Sequence, residues 1–214
     1  MLMITDNILL NTLLAMLTAV GVALITTPIV KAIAPHIGAV DIPKDDRRMH
    51  TKPMPLCGGI AIFLGFSVAM LLFSEMTAES WGIWLGGLAI VILGVVDDIF
   101  TLNAKLKFVL QFVAALIPVC FGLTMEHINV FGYNLHLGWF AYPLTLLWIV
   151  ALTNAVNLID GLDGLACSVT TVGSVALFAV GVIVSSPAIM ITSASLFGAC
   201  AGFLPYNFNP AKIF

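Results

Sequence analysis

Residues 8–30 read ILLNTLLAMLTAVGVALITTPIV, a stretch without a charged side chain that is long enough to cross a bilayer as one helix. Further apolar runs follow along the chain, at about residues 56–74, 81–96, 106–123, 139–156, 165–184 and 188–204. A transmembrane helix needs about 20 apolar residues. The sequence therefore predicts an all-α polytopic membrane protein with about seven transmembrane helices.

The composition favours the same class of protein. Of the 214 residues, 61% are apolar and 9% are charged, whereas an ordinary soluble domain is about 25% charged. A soluble globule would need a mostly apolar surface, and eight basic against eleven acidic residues leave no basic face for a nucleic acid. The four cysteines lack metal-ligand spacing and are interpreted as small apolar residues.

All Lys and Arg residues fall on one side of the predicted membrane. Five follow the first span, Lys105 and Lys107 follow the third, and Lys212 follows the last. The positive-inside rule therefore predicts an external N-terminus and a cytoplasmic C-terminus in the plasma membrane. Residues 128–137 fall on the outer side and have a central glycine and partial alternation, which predicts a small external hairpin.

Polar residues gather at the cytoplasmic ends of the predicted spans. Asp97 and Asp98 end the third span, and the fifth ends in NAVNLIDGLDGL, which contains four polar residues spaced by three: Asn154, Asn157, Asp160 and Asp163. Because residues i and i+3 share a helix face, these four predict one polar stripe. Ionisable groups at membrane depth are costly and by default mark a functional site.

Clustered carboxylate and amide oxygens suit Mg²⁺, which takes one or two carboxylates together with waters and substrate phosphates. Asp97 and Asp98 are adjacent and point about 100° apart on a helix, so that one could face a metal and the other a nucleophile. The competing interpretation is that these residues cap helix ends or are solvated acids. A helix cap would explain only one of these polar residues, so the functional interpretation is preferred.

The first cytoplasmic loop mixes acidic and basic residues ahead of a glycine pair. Gly58 and Gly59 stand at a predicted helix start, where backbone N–H groups can bind a phosphate. His50 and Lys52 lie just before and are the preferred candidates for substrate contact in this loop. The alternative is that the loop charges serve only topology and membrane-surface electrostatics.

Four stretches of the chain resemble the polyprenyl-phosphate N-acetylhexosamine-1-phosphate transferases, also called the glycosyltransferase 4 family. In family order they are RMHTKPMPLCGG at 48–59, GVVDD at 94–98, NAVNLIDGLDGL at 154–165 and YNFNPAKIF at 206–214. The resemblance implies a membrane enzyme with a cytoplasmic active site. Such an enzyme moves a sugar 1-phosphate from a UDP-sugar to a polyprenyl phosphate, releases UMP and needs Mg²⁺.

The resemblance also implies roles for the candidate residues. Asp97 and Asp98 would be catalytic, positioning the lipid phosphate and sharing the metal, for which Asn157 would be the main ligand. Substrate binding would fall to five residues: His50, Lys52, Asn154, Asp160 and Asp163. Apolar grooves between the spans would hold the prenyl tail.

Two branches of the family compete for this sequence. The peptidoglycan branch, which transfers phospho-MurNAc-pentapeptide, typically has Pro-Thr-Met-Gly-Gly in the first loop, where residues 55–59 read PLCGG. Residues 207–214 resemble the branch that transfers GlcNAc-1-phosphate from UDP-GlcNAc to undecaprenyl phosphate. That reaction is the first membrane step of a teichoic acid linkage unit, an O-antigen or a similar cell-wall polymer, and this branch is preferred.

One departure from the family pattern concerns the end of the chain. In the family, the last run continues into Met-Gly-Asp-x-Gly-Ser, whose Asp is a metal ligand, and a His-containing loop follows. Residues 1–214 are therefore expected to form a single unit, the N-terminal part of a longer domain of ten or eleven spans, and to be inactive alone. A homodimer is compatible with the sequence.

Two other classes of protein are alternatives for this sequence. A secondary transporter also carries intramembrane Asp and Asn residues, but usually near the bilayer midplane, in broken helices and often in repeats. Here the polar residues lie at one face, and no repeat is visible. A purely structural membrane subunit would leave the polar residues at period three unexplained.

Overall fold

The structure is a computed structural model that describes residues 7–41, 53–130 and 132–214. Within these ranges the chain forms seven α-helices: α1 Ile8–Ile33, α2 Gly59–Phe73, α3 Ala78–Phe100, α4 Ala104–Cys120, α5 Ala141–Ile159, α6 Leu165–Ile183 and α7 Pro187–Asn207. Two short antiparallel strand pairs accompany them, β1 Val40–Asp41 with β2 Met54–Pro55 and β3 His127–Val130 with β4 Tyr133–His136. The chain is thus mostly helical, as the sequence predicts.

Five of these helices are long and apolar enough to cross a membrane, whereas the sequence analysis predicts about seven spans. The five are α1, α3, α5 with its preceding 3₁₀ turn, α6 and α7. Helix α2 has only 15 residues, so at 1.5 Å per residue it is shorter than the hydrocarbon core. Helix α4 has 17 residues and carries two lysines in its first turn.

Polar side chains fix the starts of several helices. Each of them accepts a hydrogen bond from a backbone N–H of the first turn: Asn7 for α1, Thr77 for α3, Asn103 for α4 and Ser186 for α7. Such caps typically contribute about 1 kcal/mol each. The cap at Asn103 has a consequence for the site, because it sets where α4 begins.

Small residues allow α1, α2 and α7 to pack closely. Ala15, Ala19 and Ala23 are fully buried along one face of α1. A Cβ atom added at Gly198 of α7 would overlap the carbonyl oxygen of Met16. The three helices therefore form a tight subassembly, and contact with neighbouring backbone requires glycine at Gly65, Gly198 and Gly202.

This packing predicts opposite effects for two matched substitutions. Gly198→Ala should lower the free energy of unfolding by about 1–3 kcal/mol, because the added methyl group has no space against α1. Gly173→Ala in α6 is the control, since nothing lies within 4 Å of its added Cβ, and it should stabilise by about 0.5–1 kcal/mol. Thermal unfolding in detergent measures both, and equal effects would contradict the packing.

The turn between α3 and α4 brings polar ends of three helices together. Helix α3 ends at Phe100, its C-cap Thr101 adopts a left-handed conformation, and α4 starts after Asn103. Since α3, α4 and α5 pack consecutively and antiparallel, the end of α3, the start of α4 and the end of α5 share one end of the bundle. The hairpin of β3 and β4 follows the other end of α4, which confirms the hairpin predicted at 128–137; the side of the membrane on which it lies stays a prediction.

Candidate functional site

The two carboxylates at the end of α3 contact different parts of the protein. Asp98 Oδ2 accepts a hydrogen bond from the backbone N–H of Cys57 at 3.0 Å, in the loop before α2. Asp97 Oδ1 accepts one from the backbone N–H of Leu102, also at 3.0 Å. The adjacent acids thus face different elements, as their positions on a helix predict.

Lys107 joins three helices at this point. Its Nζ atom donates to Asp97 Oδ2 at 2.8 Å and to Asn157 Oδ1 at 3.1 Å. The ion pair is half-buried, with 22% of the Lys107 side chain and 21% of the Asp97 side chain exposed. The ammonium group therefore holds oxygens of α3 and α5 together from the first turn of α4.

Lys107 is a site residue that the sequence analysis missed, because it was counted there only as a topological charge. Two residues apart, Lys105 and Lys107 point about 200° apart on a helix, so only one can face α3. Nothing in the local pattern says which. The choice depends on the Asn103 cap and on the angle at which α4 packs, which are tertiary features.

Gln111 is a second residue that the sequence analysis missed. It lies one turn after Lys107 and is buried, and its Oε1 accepts a hydrogen bond from Asn154 Nδ2 at 2.7 Å. Asn154 Nδ2 also donates to the Val150 carbonyl at 2.8 Å. Asn154, predicted to bind substrate, thus connects α5 to α4 in this structure.

A cavity of about 970 Å³ collects four of the six predicted site residues that the structure describes. Its polar lining includes Asp97, Asp98, Lys107, Asn157 and Asp160. Its apolar lining comes largely from α3 and α5 and includes Ile90, Leu93, Leu152 and Val156. A second cavity of about 650 Å³ lies on the other side of Lys107 and includes Asn154. A polar end beside an apolar wall suits an amphiphilic substrate with a charged head.

The polar stripe predicted for 154–163 is helical only in its first half. Helix α5 ends at Ile159, so Asn154 and Asn157 lie on it, whereas Asp160 is its C-cap and Asp163 lies in the following loop. The helix ends here because Gly161 disfavours helix and Gly164 adopts a left-handed conformation with φ +70°. The expectation of a single helical face was therefore wrong beyond residue 159.

Asp160 faces the same cavity as Asp98. Surrounding protein atoms exclude water from its carboxylate, and the charge of Asp98 adds repulsion, so the pKa of Asp160 is raised to about 6. Asp160 adds a third carboxylate, after Asp97 and Asp98, to the acidic cluster that lines this cavity. A cation in the cavity would stabilise such a cluster.

Asp163 lies apart from both cavities. Its Oδ2 atom accepts hydrogen bonds from Asn209 Nδ2 at 3.0 Å and from the Ala211 N–H at 2.9 Å. The predicted substrate ligands His50 and Lys52 lie outside the described residues. Gly58 and Gly59 line the larger cavity, but the Gly58 N–H donates to the Phe214 carbonyl at 2.7 Å. The Gly58 N–H is therefore engaged by a backbone carbonyl in this structure, and phosphate binding by the glycine pair stays a prediction.

The donor set fits Mg²⁺ better than a softer metal. In the described part of the chain, no group of three or more His, Cys, Asp or Glu residues could hold a metal ion. However, Asp97 Oδ2 and Asn157 Oδ1 converge on one cation, the Lys107 ammonium. Few protein oxygens, completed by waters and phosphates, are what Mg²⁺ prefers.

The structure combines five helices that are apolar enough to span a membrane with a polar cavity at one end of the bundle. This combination is typical of a multi-pass membrane enzyme. Residues 80–214 match the family model described as glycosyl transferase family 4. The chain belongs to this family, which confirms the resemblance to polyprenyl-phosphate hexosamine-1-phosphate transferases and sets aside the transporter and the structural subunit.

The chain is similar to curated members of the family. It is 44% identical to the probable undecaprenyl-phosphate N-acetylglucosaminyl 1-phosphate transferase of Bacillus subtilis (strain 168), over 98% of this chain and 59% of the relative. It is 36% identical to the decaprenyl-phosphate N-acetylglucosaminephosphotransferase of Mycobacterium tuberculosis (strain ATCC 25618 / H37Rv), over 92% of this chain and 54% of the relative. A phospho-N-acetylmuramoyl-pentapeptide-transferase of Caldicellulosiruptor bescii is 30% identical, over 95% of this chain and 68% of the relative. The chain thus spans less than two thirds of the length of the first two relatives.

Proposed function

We propose that this protein transfers GlcNAc-1-phosphate from UDP-GlcNAc to undecaprenyl phosphate, as the first membrane step of a cell-wall polymer. The observation that carries the proposal is the convergence of Asp97, Asp98, Asn157 and Lys107 on one cavity with an apolar wall. The relatives at 44% and 36% identity are both named as GlcNAc-1-phosphate transferases, which supports the GlcNAc branch. The pentapeptide branch is the second candidate, supported by the relative at 30% identity.

The reaction joins two anions. An oxygen of the lipid phosphate attacks the β-phosphorus of UDP-GlcNAc, the bond from that phosphorus to the oxygen shared with the α-phosphate breaks, and UMP leaves. Lys107, which lines the cavity, supplies positive charge that offsets repulsion between the phosphates. When bound, Mg²⁺ would neutralise pyrophosphate charge and orient it, with Asn157, Asp97 and Asp98 as the residues that hold it.

The protein residues divide into a polar and an apolar group. Asp98, fixed by the Cys57 N–H, positions the lipid phosphate; proton removal matters less, because a phosphate monoester is mostly ionised near neutral pH. Asp160 contributes to binding of the nucleotide-sugar beside this carboxylate. The apolar lining from α3 and α5 holds the first part of the prenyl chain. The one-sided lysines support a cytoplasmic position for this end of the bundle, where UDP-sugars occur.

A chimaera tests the proposed function. In this chimaera, residues 1–214 are followed by the C-terminal portion of the Bacillus subtilis relative. This chimaera is the completed enzyme. We expect UMP release that requires UDP-GlcNAc, undecaprenyl phosphate and Mg²⁺, and no release from UDP-MurNAc-pentapeptide. Residues 1–214 alone should release none, because few fixed oxygens hold Mg²⁺ weakly. Activity with the pentapeptide substrate instead would support the second candidate.

A further inference from the structure

The hairpin of β3 and β4 has one apolar and one polar face, because side chains alternate along a strand. The apolar face carries Ile128, Val130, Tyr133 and Leu135, and the polar face carries His127, Asn129, Asn134 and His136. All four polar residues are exposed. The hairpin therefore presents histidines and amides to solvent, beyond the end of α4 that is remote from the cavity.

The strand register brings the two histidines together. His127 and His136 are direct partners across the hairpin. In the next pair, the Leu137 N–H donates to the Glu126 carbonyl at 2.9 Å. Hydrogen-bonded and non-hydrogen-bonded pairs alternate along an antiparallel ladder, and side chains lie closer in the non-hydrogen-bonded pairs. The histidines thus occupy a close pair, and their ring centres are 4.8 Å apart.

This separation matches two imidazoles that share one metal ion. Zn²⁺ binds imidazole nitrogens at about 2.0–2.1 Å in a tetrahedral arrangement, which sets the ring centres of two ligands roughly 5 Å apart. Each neutral imidazole offers one unprotonated nitrogen as a ligand. Imidazole suits Zn²⁺, Cu²⁺ and Ni²⁺, whereas Mg²⁺ prefers oxygen. The ligand chemistry of the hairpin therefore differs from that of the Asp97–Asn157 site.

The other coordination positions of such an ion are left to water. Across residues 7–41, 53–130 and 132–214, no three His, Cys, Asp or Glu residues come together as a metal site. Glu126 is adjacent to His127 in the chain, so strand alternation places it on the opposite face. A structural zinc site usually has four protein ligands. Two histidines alone therefore predict reversible binding of an exchangeable ion.

We propose that His127 and His136 bind one divalent transition-metal ion, Zn²⁺ or a neighbour in that series, and that the ion ties β3 to β4. A two-stranded hairpin is marginally stable in water, and an ion that binds only the paired strands stabilises their pairing. Because the hairpin connects α4 to α5, the ion fixes this connection. The inference does not depend on the proposed transferase function.

The first test measures Zn²⁺ binding by isothermal titration calorimetry. Residues 1–214 are purified in detergent without a histidine tag, with Cys120→Ser to remove an exposed thiol and with millimolar Mg²⁺ to fill oxygen sites. We expect one Zn²⁺ per chain. His127→Gln and His136→Gln should each bind at least about tenfold more weakly, since one tethered ligand is lost. Unchanged affinity in either variant, or no binding by the parent, would overturn the proposal.

Two further variants test whether the cross-strand geometry matters. His36→Gln removes an exposed histidine beyond the end of α1 and should leave affinity within twofold. His136→Gln combined with Leu135→His keeps two histidines in the hairpin but places them on opposite faces. This combination should bind as weakly as His136→Gln alone. Tight binding by it would show that any two histidines suffice and would contradict the cross-strand site.

The second test asks whether the ion holds the strands together. Tyr133 is 76% exposed, so chymotrypsin can cut after it when the hairpin opens. Saturating Zn²⁺ should slow this cleavage several-fold in the parent and leave it unchanged in His127→Gln, which also controls for an effect of Zn²⁺ on the protease. Equal cleavage of the parent with and without Zn²⁺ would overturn the proposed tie between β3 and β4.

Discussion

Asp98→Asn in the completed enzyme is expected to lower turnover about 10³-fold while the protein still inserts and purifies normally. Asp98 is half-buried in the cavity and has its carboxylate fixed by the Cys57 N–H. The variant removes the negative charge and places an amide where a hydrogen-bond acceptor is needed. A loss of about 4 kcal/mol of transition-state stabilisation corresponds to this factor, at tenfold per 1.36 kcal/mol.

The control is a neutralising change at the other end of the same helix. Glu79 lies in the first turn of α3, exposed and far along the chain from the site. Glu79→Gln should leave turnover within twofold, so that a loss specific to Asp98→Asn reports the site. UMP release under saturating substrates measures both. Near-normal turnover in Asp98→Asn would instead support the interpretation of Asp98 as a helix-end acid.

The helices could be predicted well from the sequence, because their signals are local. The apolar runs alone place the ends of the predicted spans within a few residues of the observed helix ends. The number of membrane spans was less secure. Length alone does not decide whether a 15-residue helix such as α2 crosses the bilayer.

The composition of the cavity was predictable, but its internal contacts were not. Asp97, Asp98, Asn157 and Asp160 were identified from their spacing and do line one cavity. Their hydrogen-bond partners come from elements far along the chain, as in the Cys57 contact to Asp98 over 41 positions. Periodicity carries no information about such contacts, because they depend on how the helices pack.

Asp163 also shows that spacing in the sequence does not determine tertiary contacts. Its spacing from Asp160 predicts a common face, but the glycines at 161 and 164 end the helix and turn Asp163 toward residues 209–211. The turn signal was visible in the sequence. Its consequence depended on the position of residues 208–214, which pass next to Gly164: a Cβ atom added at Gly164 would lie 3.3 Å from the Phe208 ring.

Lys107→Gln is the other substitution for which a large effect is expected. Lys107 holds Asp97 and Asn157 together and supplies the positive charge that the described part of the cavity shows. Removing one preorganised donor from a site where charge develops typically costs about 10²–10³ in turnover. We expect a loss in this range in the completed enzyme, with Lys107→Arg retaining more activity because it keeps the charge.

Lys105→Gln is the matched control, since Lys105 lies two residues away on α4 and is exposed. It should leave turnover within twofold, although it changes net charge equally. A purely structural role for Lys107 makes a different prediction. If the lysine only joins α3, α4 and α5, Lys107→Gln should lower thermal stability, and turnover should recover at lower temperature. A persistent loss of turnover at all temperatures, with unfolding unchanged, assigns the Lys107 charge to the reaction, since an ammonium between two phosphates acts on the transition state whether or not the bundle is stable.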